Sequence, residues 1–342
     1  MVYFKGGPHG PPFLLQAMVK MTVDKTRGMD NAFTAETLHQ QASDPTYAGA
    51  LSFMRRKYSK DLTGVNAVVW GIPLDTAVSN RPGTRFGPRG IREASCGMDN
   101  DPQYPFGSRL FRQMAVIDYG DCYLYYGEQA KVPAAIEENA AAIINAESEP
   151  YLLSLGGDHF VTYPLLKAHA EKHGPLALVQ FDAHQDTWDD EDGIVDHGTM
   201  ITRAVKEGII DVEYSIQIGI RTIAPQDYGI EIIDALTCHE IGPAEIARRV
   251  VHRVAGKKTY LTFDIDSLDP AFAPGTGTPV SGGLSSAQAL ATLRHLKDLD
   301  VVGSDVVEVS PSYDHADITS IAGSTVAMYM LGNLWERRFR SS

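Results

Sequence analysis

Cysteine is scarce: Cys96, Cys122 and Cys238 stand far apart in 342 residues, with no C-x-x-C spacing. That excludes a disulfide framework and a zinc ribbon and fits a reducing, cytoplasmic setting. No apolar run approaches the roughly 20 residues a membrane span needs, and FLLQAMV near the start is too short and too poorly flanked for a signal peptide. Basic residues are in deficit, with 30 Lys plus Arg against 43 Asp plus Glu and a formal charge of -13. Such a balance argues against a nucleic-acid surface and favours the approach of small cations. Internal repeats, heptads and low-complexity segments are missing, as are G-x-G-x-x-G and G-K-[ST], so a nucleotide site is not indicated. What is present, 44% hydrophobic and 21% charged residues, is the profile of a globular chain with a sizeable core.

Residues 1–60, which include GGPHGPP, read as a partly irregular N-terminal arm, and residues 61–338 as a single folded domain. From about Gly64 short apolar, β-branched runs alternate with helical patterns. The runs are AVVWGI (67–72), MAVIDYG (114–120), YLLSL (151–155), LALVQF (176–181), YSIQIGI (214–220), TYLTF (259–263) and VVGSDVVEV (301–309). Runs apolar on both faces suit buried strands of a parallel sheet. Between them VPAAIEENAAAIINA, YPLLKAHAEKH, PAEIARRVVHRVAG and SSAQALATLRHLKDL carry apolar residues at helical spacing. The alternation predicts a three-layer α/β/α fold, doubly wound on a mainly parallel sheet.

In such folds ligands bind beyond the carboxyl ends of the strands, and the polar residues concentrate there. His159 follows YLLSL in GGDH; Asp182, His184 and Asp186 follow LALVQF; Asp264 and Asp266 follow TYLTF; Glu308 closes VVGSDVVEV. In an extended backbone residues two apart share a face, so FDAHQDTW would gather two carboxylates and an imidazole in one small volume. Uncompensated, that costs several kcal/mol or forces protonation; a bound cation removes the cost. The plain alternative, a solvated loop, does not explain why several strands deliver such groups to one sheet edge. Two imidazoles and four carboxylates exceed what one ion uses and suit two divalent ions. Mixed nitrogen and oxygen ligation suits Mn, Ni, Fe, Co or Zn better than Ca or Mg. Paired ions turn water into a nucleophile at neutral pH, which implies metal-assisted hydrolysis. DIDSLD lacks the glycine and closing glutamate of a calcium loop. His197, in DHGTM, is by default a loop histidine. Glu308, a carboxylate in an apolar strand, demands a cationic partner, for which a guanidinium is suited.

GGDHFVTYPLL, FDAHQDTW, DHGTM, SIQIGIRT, YLTFDIDSLDPAFAPGTGTPVSGGL, DVVEVSPSYDHADIT and SNRPGTRFGPRGIR together resemble the ureohydrolase family of arginases and agmatinases, most closely the bacterial agmatinases. The resemblance implies an arginase-like fold, assembled as a homo-trimer or homo-hexamer, and two divalent ions, manganese first and nickel as the alternative. It implies that His159, Asp182, Asp186 and Asp264 hold one ion and Asp182, His184, Asp264 and Asp266 the other. It further assigns proton transfer to His197, orientation of the guanidinium to Glu308, positioning of neighbours to Asp158, and substrate contacts to Asn80 and Arg81. The implied reaction is cleavage of agmatine to putrescine and urea. Three stretches depart from the family pattern: the long arm, SCGMDNDPQYPFGSRLF (95–111) and DITSIAGST (317–325). They leave guanidinobutyrate, guanidine or a biguanide such as metformin open as substrates; a guanidino acid would need an Arg or Lys in the pocket, a part that Arg81 and Arg85 could fill. Two readings from other classes are a one-zinc deacetylase, which uses fewer ligands, and a non-catalytic subunit of a hetero-oligomer, which would be expected to have lost some.

Overall fold

Runs that are apolar on both faces must be covered on both. In the computed structural model, which describes residues 30–339 apart from 43, 99–103, 108–109, 126 and 191–192, they form one nine-stranded sheet. Its strands are β1 (Lys57–Tyr58), β2 (Ala67–Gly71), β3 (Val116–Asp121), β4 (Tyr151–Leu155), β5 (Ala177–Phe181), β6 (Ile216–Ile220), β7 (Glu231–Asp234), β8 (Thr259–Asp264) and β9 (Val301–Val307). Their order is β1-β3-β2-β4-β9-β8-β5-β6-β7, and every pairing is parallel. All seven apolar runs are strands. The two additional ones, β1 and β7, are short edge strands of mixed composition, which an apolar-run criterion passes over.

Alternate residues of the inner strands β2, β4, β5, β8 and β9 feed two separate cores. Val69, Leu153, Phe181 and Phe263 pack with Ile91, Val250, Leu293 and Trp335, from the helices Gly87–Ser95, Ala235–Val254, Ser286–His295 and Ile318–Arg338. Val68, Leu152, Leu178 and Tyr260 pack with Ile136, Leu166 and Ile201, from the helices Val132–Ile144, Thr162–His173 and Met200–Lys206. Helices thus cover both faces of the sheet, as expected of a three-layer α/β/α fold. One helix differs in extent: PAEIARRVVHRVAG was expected to begin at its proline, but the helix starts at Ala235 and kinks at Gly242 (φ 74°) before Pro243. Glycine supplies the left-handed turn that lets proline follow without a clash. Ser285 and Gln288 form a reciprocal capping box at the start of Ser286–His295. None of the helices among the described residues is long and apolar enough to cross a membrane.

A buried histidine away from the strand ends makes the fold sensitive to acid. The Nδ1 of His169 bonds the Leu165 carbonyl at 2.8 Å, and a Cβ on Gly303 would collide with its Nε2. Burial depresses its pKa from 6.5 to about 4. Between those values the unfolded chain holds a proton that the folded chain does not, so nothing is lost above pH 6.5 and stability falls as pH drops through the window, by at most ~3 kcal/mol. His169→Gln is expected to lose stability less steeply than wild type over that range in denaturant melts; equal slopes would show that His169 is not the acid-sensitive group.

Candidate metal centre

Strands β4, β9, β8 and β5 are distant in sequence but consecutive in the sheet. Their carboxyl ends therefore bring His159, Glu308, Asp264 with Asp266, and Asp182 with His184 and Asp186 to one edge. The glycines of GGDH make the close approach of the β4 loop feasible. A Cβ on Gly157 would overlap the backbone of Leu74, and one on Gly156 would lie 2.5 Å from Val307 Cγ1. Gly157→Ala is therefore expected to displace His159 and cut bound metal by more than half, measured as metal per chain; full metal content would show that the loop yields without cost.

The ligand loops are not extended strands continued. Asp182 Oδ1 accepts the His184 N–H at 2.6 Å, and Asp264 Oδ1 accepts the Asp266 N–H at 2.7 Å. Each strand thus ends in the same Asx turn, in which one oxygen of the first aspartate fixes the backbone of the ligand two residues on. Asp186 is reached through a left-handed residue of its own (φ 53°). The alternation seen in FDAHQDTW does bring its polar residues together, but through a turn rather than a pleat.

Two groups of ligand atoms result, each within 4.8 Å of one another: His159, Asp182 and Asp264, and Asp182, His184 and Asp266. Asp182 is common to both. His159 Nδ1 lies 3.0 Å from Asp182 Oδ2, 2.9 Å from Asp186 Oδ2 and 3.2 Å from Asp264 Oδ2, yet it is buried and hydrogen-bonded to none. Four potential donor atoms converging on one point are the arrangement a cation completes. His184 Nδ1 stands 3.1 Å from Asp266 Oδ2 and 3.4 Å from Asp182 Oδ1. Thiolate is missing from this donor set, which fits a divalent ion of intermediate hardness.

The protein groups by themselves balance this charge with protons. Burial pushes the Asp264 carboxyl well up, helped by the charges of Asp266 and Asp182. Burial and Asp182 likewise raise Asp186 to about 6. Asp182 is the opposite case: burial would raise it, but His159 and His184 outweigh burial and hold it well below the usual range. Burial disfavours the imidazolium of His184, but Asp266 and Asp182 overcome it and lift that ring to about 12. Ion binding at such a centre displaces protons.

Beside the clusters, Glu308 is buried in a left-handed conformation (φ 62°). Its Oε1 accepts the His159 backbone N–H at 2.9 Å and faces His197 Nδ1 at 3.0 Å; its Oε2 is buried without a partner. The Ser79 amide donates to His197 Nε2 at 3.0 Å, so Nδ1 carries the proton given to Glu308. Burial alone would lower the His197 pKa, and Glu308 outweighs it, raising the ring to about 9. Asp158 Oδ2 accepts the Ala77 N–H at 2.9 Å, and burial followed by the charge of Glu308 raises its pKa to about 7. Asn80 Nδ2 donates to the Gly277 carbonyl at 3.1 Å, the Arg81 guanidinium lies 5.0 Å from the Tyr313 ring centre, and Arg85 pairs with Asp75. A cavity of about 300 Å³ opens over the clusters, with Ser79, His184, Asp186, Trp188, Asp196 and His197 in its wall. Asn80 and Arg81 are not among the residues that line it. Within SCGMDNDPQYPFGSRLF, residues 99–103 and 108–109 lie outside the described residues.

Several supporting residues escaped the motif reading. Gln180 Nε2 donates to Asp182 Oδ2 at 2.7 Å. Thr278 Oγ1 donates to Asp266 Oδ2 at 3.2 Å. Arg221 gives its guanidinium to main-chain carbonyls, among them Asp266 at 2.6 Å and Val280 at 2.7 Å. A glutamine in a strand and a threonine in a loop carry no signal of their own. Asp305 did carry one, the same as Glu308, a carboxylate within an apolar run.

A parallel α/β sheet that presents paired imidazole and carboxylate clusters beyond its central strands, beside a buried carboxylate with one oxygen unpartnered, has the makings of a metal-assisted hydrolase. The sequence profile of the Arginase family matches residues 65–332, and the chain belongs to that family. An agmatinase from Chromobacterium violaceum is 48% identical over 304 residues, covering 88% of this chain and 94% of that protein. Among solved structures, a hypothetical agmatinase from Burkholderia thailandensis superposes with a TM-score of 0.88 at 49% identity, over 91% of this chain and 98% of its own. Proclavaminate amidino hydrolase from Streptomyces clavuligerus superposes with a TM-score of 0.81 at 37% identity, over 86% of this chain and all (100%) of its own.

Proposed function

We propose that this chain is a ureohydrolase that cleaves agmatine to putrescine and urea at a centre of two divalent ions. His159, Asp182, Asp186 and Asp264 would hold one ion, and Asp182, His184, Asp264 and Asp266 the other. Ions held there supply Lewis acidity and lower the pKa of water, giving a nucleophile at neutral pH. The rest of the chemistry belongs to the side chains. Glu308 Oε2, buried and unpaired, receives guanidinium N–H groups and turns the guanidinium carbon towards the clusters. His197, whose charged form Glu308 favours, supplies the proton that the departing amine takes as its C–N bond breaks. Asp158 holds the Ala77 end of the segment leading to Asn80 and Arg81.

The observation that carries the reading is that two buried atoms at the clusters, His159 Nδ1 and Glu308 Oε2, are left without hydrogen-bond partners, on residues joined by a backbone hydrogen bond. One calls for an ion and the other for a cationic substrate. Among the described residues the cavity wall carries Asp196 and no Lys or Arg, which favours a substrate with a second positive charge over a guanidino acid. The names of the similar proteins point to the same substrate. Metal-stripped protein reloaded separately with Mn and Ni, and assayed for urea from agmatine, guanidinobutyrate, guanidine and a biguanide, tests this. Agmatine with manganese is expected to give the highest kcat/KM; urea release from none of the four would refute the reading.

A further inference from the structure

His159 is anchored on its far side by a chain of hydrogen bonds that ends in a buried carboxylate. Its Nε2 lies 2.9 Å from Thr262 Oγ1, and Thr262 Oγ1 donates to Asp305 Oδ1 at 2.6 Å. The other oxygen of Asp305 accepts from Thr162 Oγ1 at 2.8 Å and from the Tyr260 hydroxyl at 2.9 Å. All of these residues are buried.

A hydroxyl has one hydrogen. Because Thr262 gives its hydrogen to the anion, it offers His159 only a lone pair, and Nε2 must carry the imidazole proton. We propose that Asp305, acting through Thr262, is a positioning residue that locks His159 in the tautomer with its lone pair at Nδ1, on the side that faces Asp182, Asp186 and Asp264. The proposal rests on His159 being an ion ligand. Asp305 lies within β9 and Glu308 directly follows it, so one strand sets the side chain of His159 through Asp305 and accepts its backbone N–H through Glu308. His184 has no such anchor: its Nε2 finds no hydrogen-bond partner among the described residues. The two ion positions are therefore supported unequally.

Asp305→Asn is informative because its polarity is forced. Thr162 and Tyr260 both donate to Oδ2, so the amide oxygen takes that side and the NH₂ group faces Thr262. The Thr262 hydrogen is then turned onto His159 Nε2, and the ring proton moves to Nδ1, where the ion must sit. Thr262→Val removes the relay without altering charge, and Thr262→Ser keeps it.

The test is a chelator-competition titration with Mn(II), which reads binding at each position rather than turnover, with far-UV circular dichroism and Tm as checks of folding. Thr262→Val and Asp305→Asn are expected to bind one ion like wild type and the other about 10- to 100-fold more weakly, whereas Thr262→Ser binds both normally. Folded Thr262→Val with both affinities unchanged, or with both weakened equally, overturns the proposal, and Thr262→Val settles the question should Asp305→Asn fail to fold. Failure of the functional reading is separate: wild type would then bind no ion or release no urea.

Discussion

Asp182→Asn is expected to abolish urea release, lowering kcat/KM by on the order of a thousandfold or more, and to lose metal at the same time. Asp182 is common to both ligand groups, with Oδ2 3.0 Å from His159 Nδ1 and Oδ1 3.4 Å from His184 Nδ1. Asparagine removes the charge and turns one of these acceptors into a donor aimed at a cation. Whichever way the amide settles, one group meets N–H hydrogens and the other keeps only a neutral carbonyl. The new residue still fits the space, so the fold should survive, and loss of the ions that balance Asp264 and Asp266 should not be mistaken for unfolding. Metal per chain measured beside circular dichroism separates the two. Wild-type metal content in Asp182→Asn would refute its shared role.

Glu308→Gln should do the reverse, keeping both ions while kcat/KM falls by roughly a hundred- to a thousandfold. Glutamine still offers one oxygen to the His159 N–H, which Glu308 Oε1 accepts at 2.9 Å, so the GGDH loop stays in place. What disappears is the anion that pairs with a guanidinium and the second acceptor, Oε2, which has no partner within the protein. A buried charged partner lost in this way affects binding and turnover together. Parallel determination of KM, kcat and metal content for agmatine checks the prediction; loss of the ions from Glu308→Gln would move this residue into the metal centre.

Much of this was legible in the chain. Each of the seven apolar runs is a strand, because burial on both faces leaves no freedom in composition. The polar groups that follow β4, β5 and β8, with the glutamate that follows β9, could be placed on one sheet edge before any neighbour relation was known. Sequence spacing did not reveal that these four strands are consecutive in the sheet, nor that FDAHQDTW and DIDSLD turn through the same Asx geometry instead of staying extended. Edge strands β1 and β7 were hidden because half-solvated strands need no apolar run, and the start of Ala235–Val254 was hidden by Gly242 and Pro243. The groups behind the ligands were least visible. Thr262, Gln180 and Ser79 are ordinary residues whose importance comes only from the direction of a hydrogen bond, which spacing does not encode. Asp305 could have been found, since its charge in an apolar strand called for buried donors, but Glu308 three residues later drew the same reasoning to itself.

The central claim is that six side chains, from three strand ends, make a centre for two ions that share Asp182. Metal analysis of the full chain, stripped and then saturated with Mn(II), with unbound ion removed by dialysis, tests it most directly. The account predicts two ions per chain, falling on titration with acid as the ligands recover their protons. A limit of one ion per chain at saturation would contradict it.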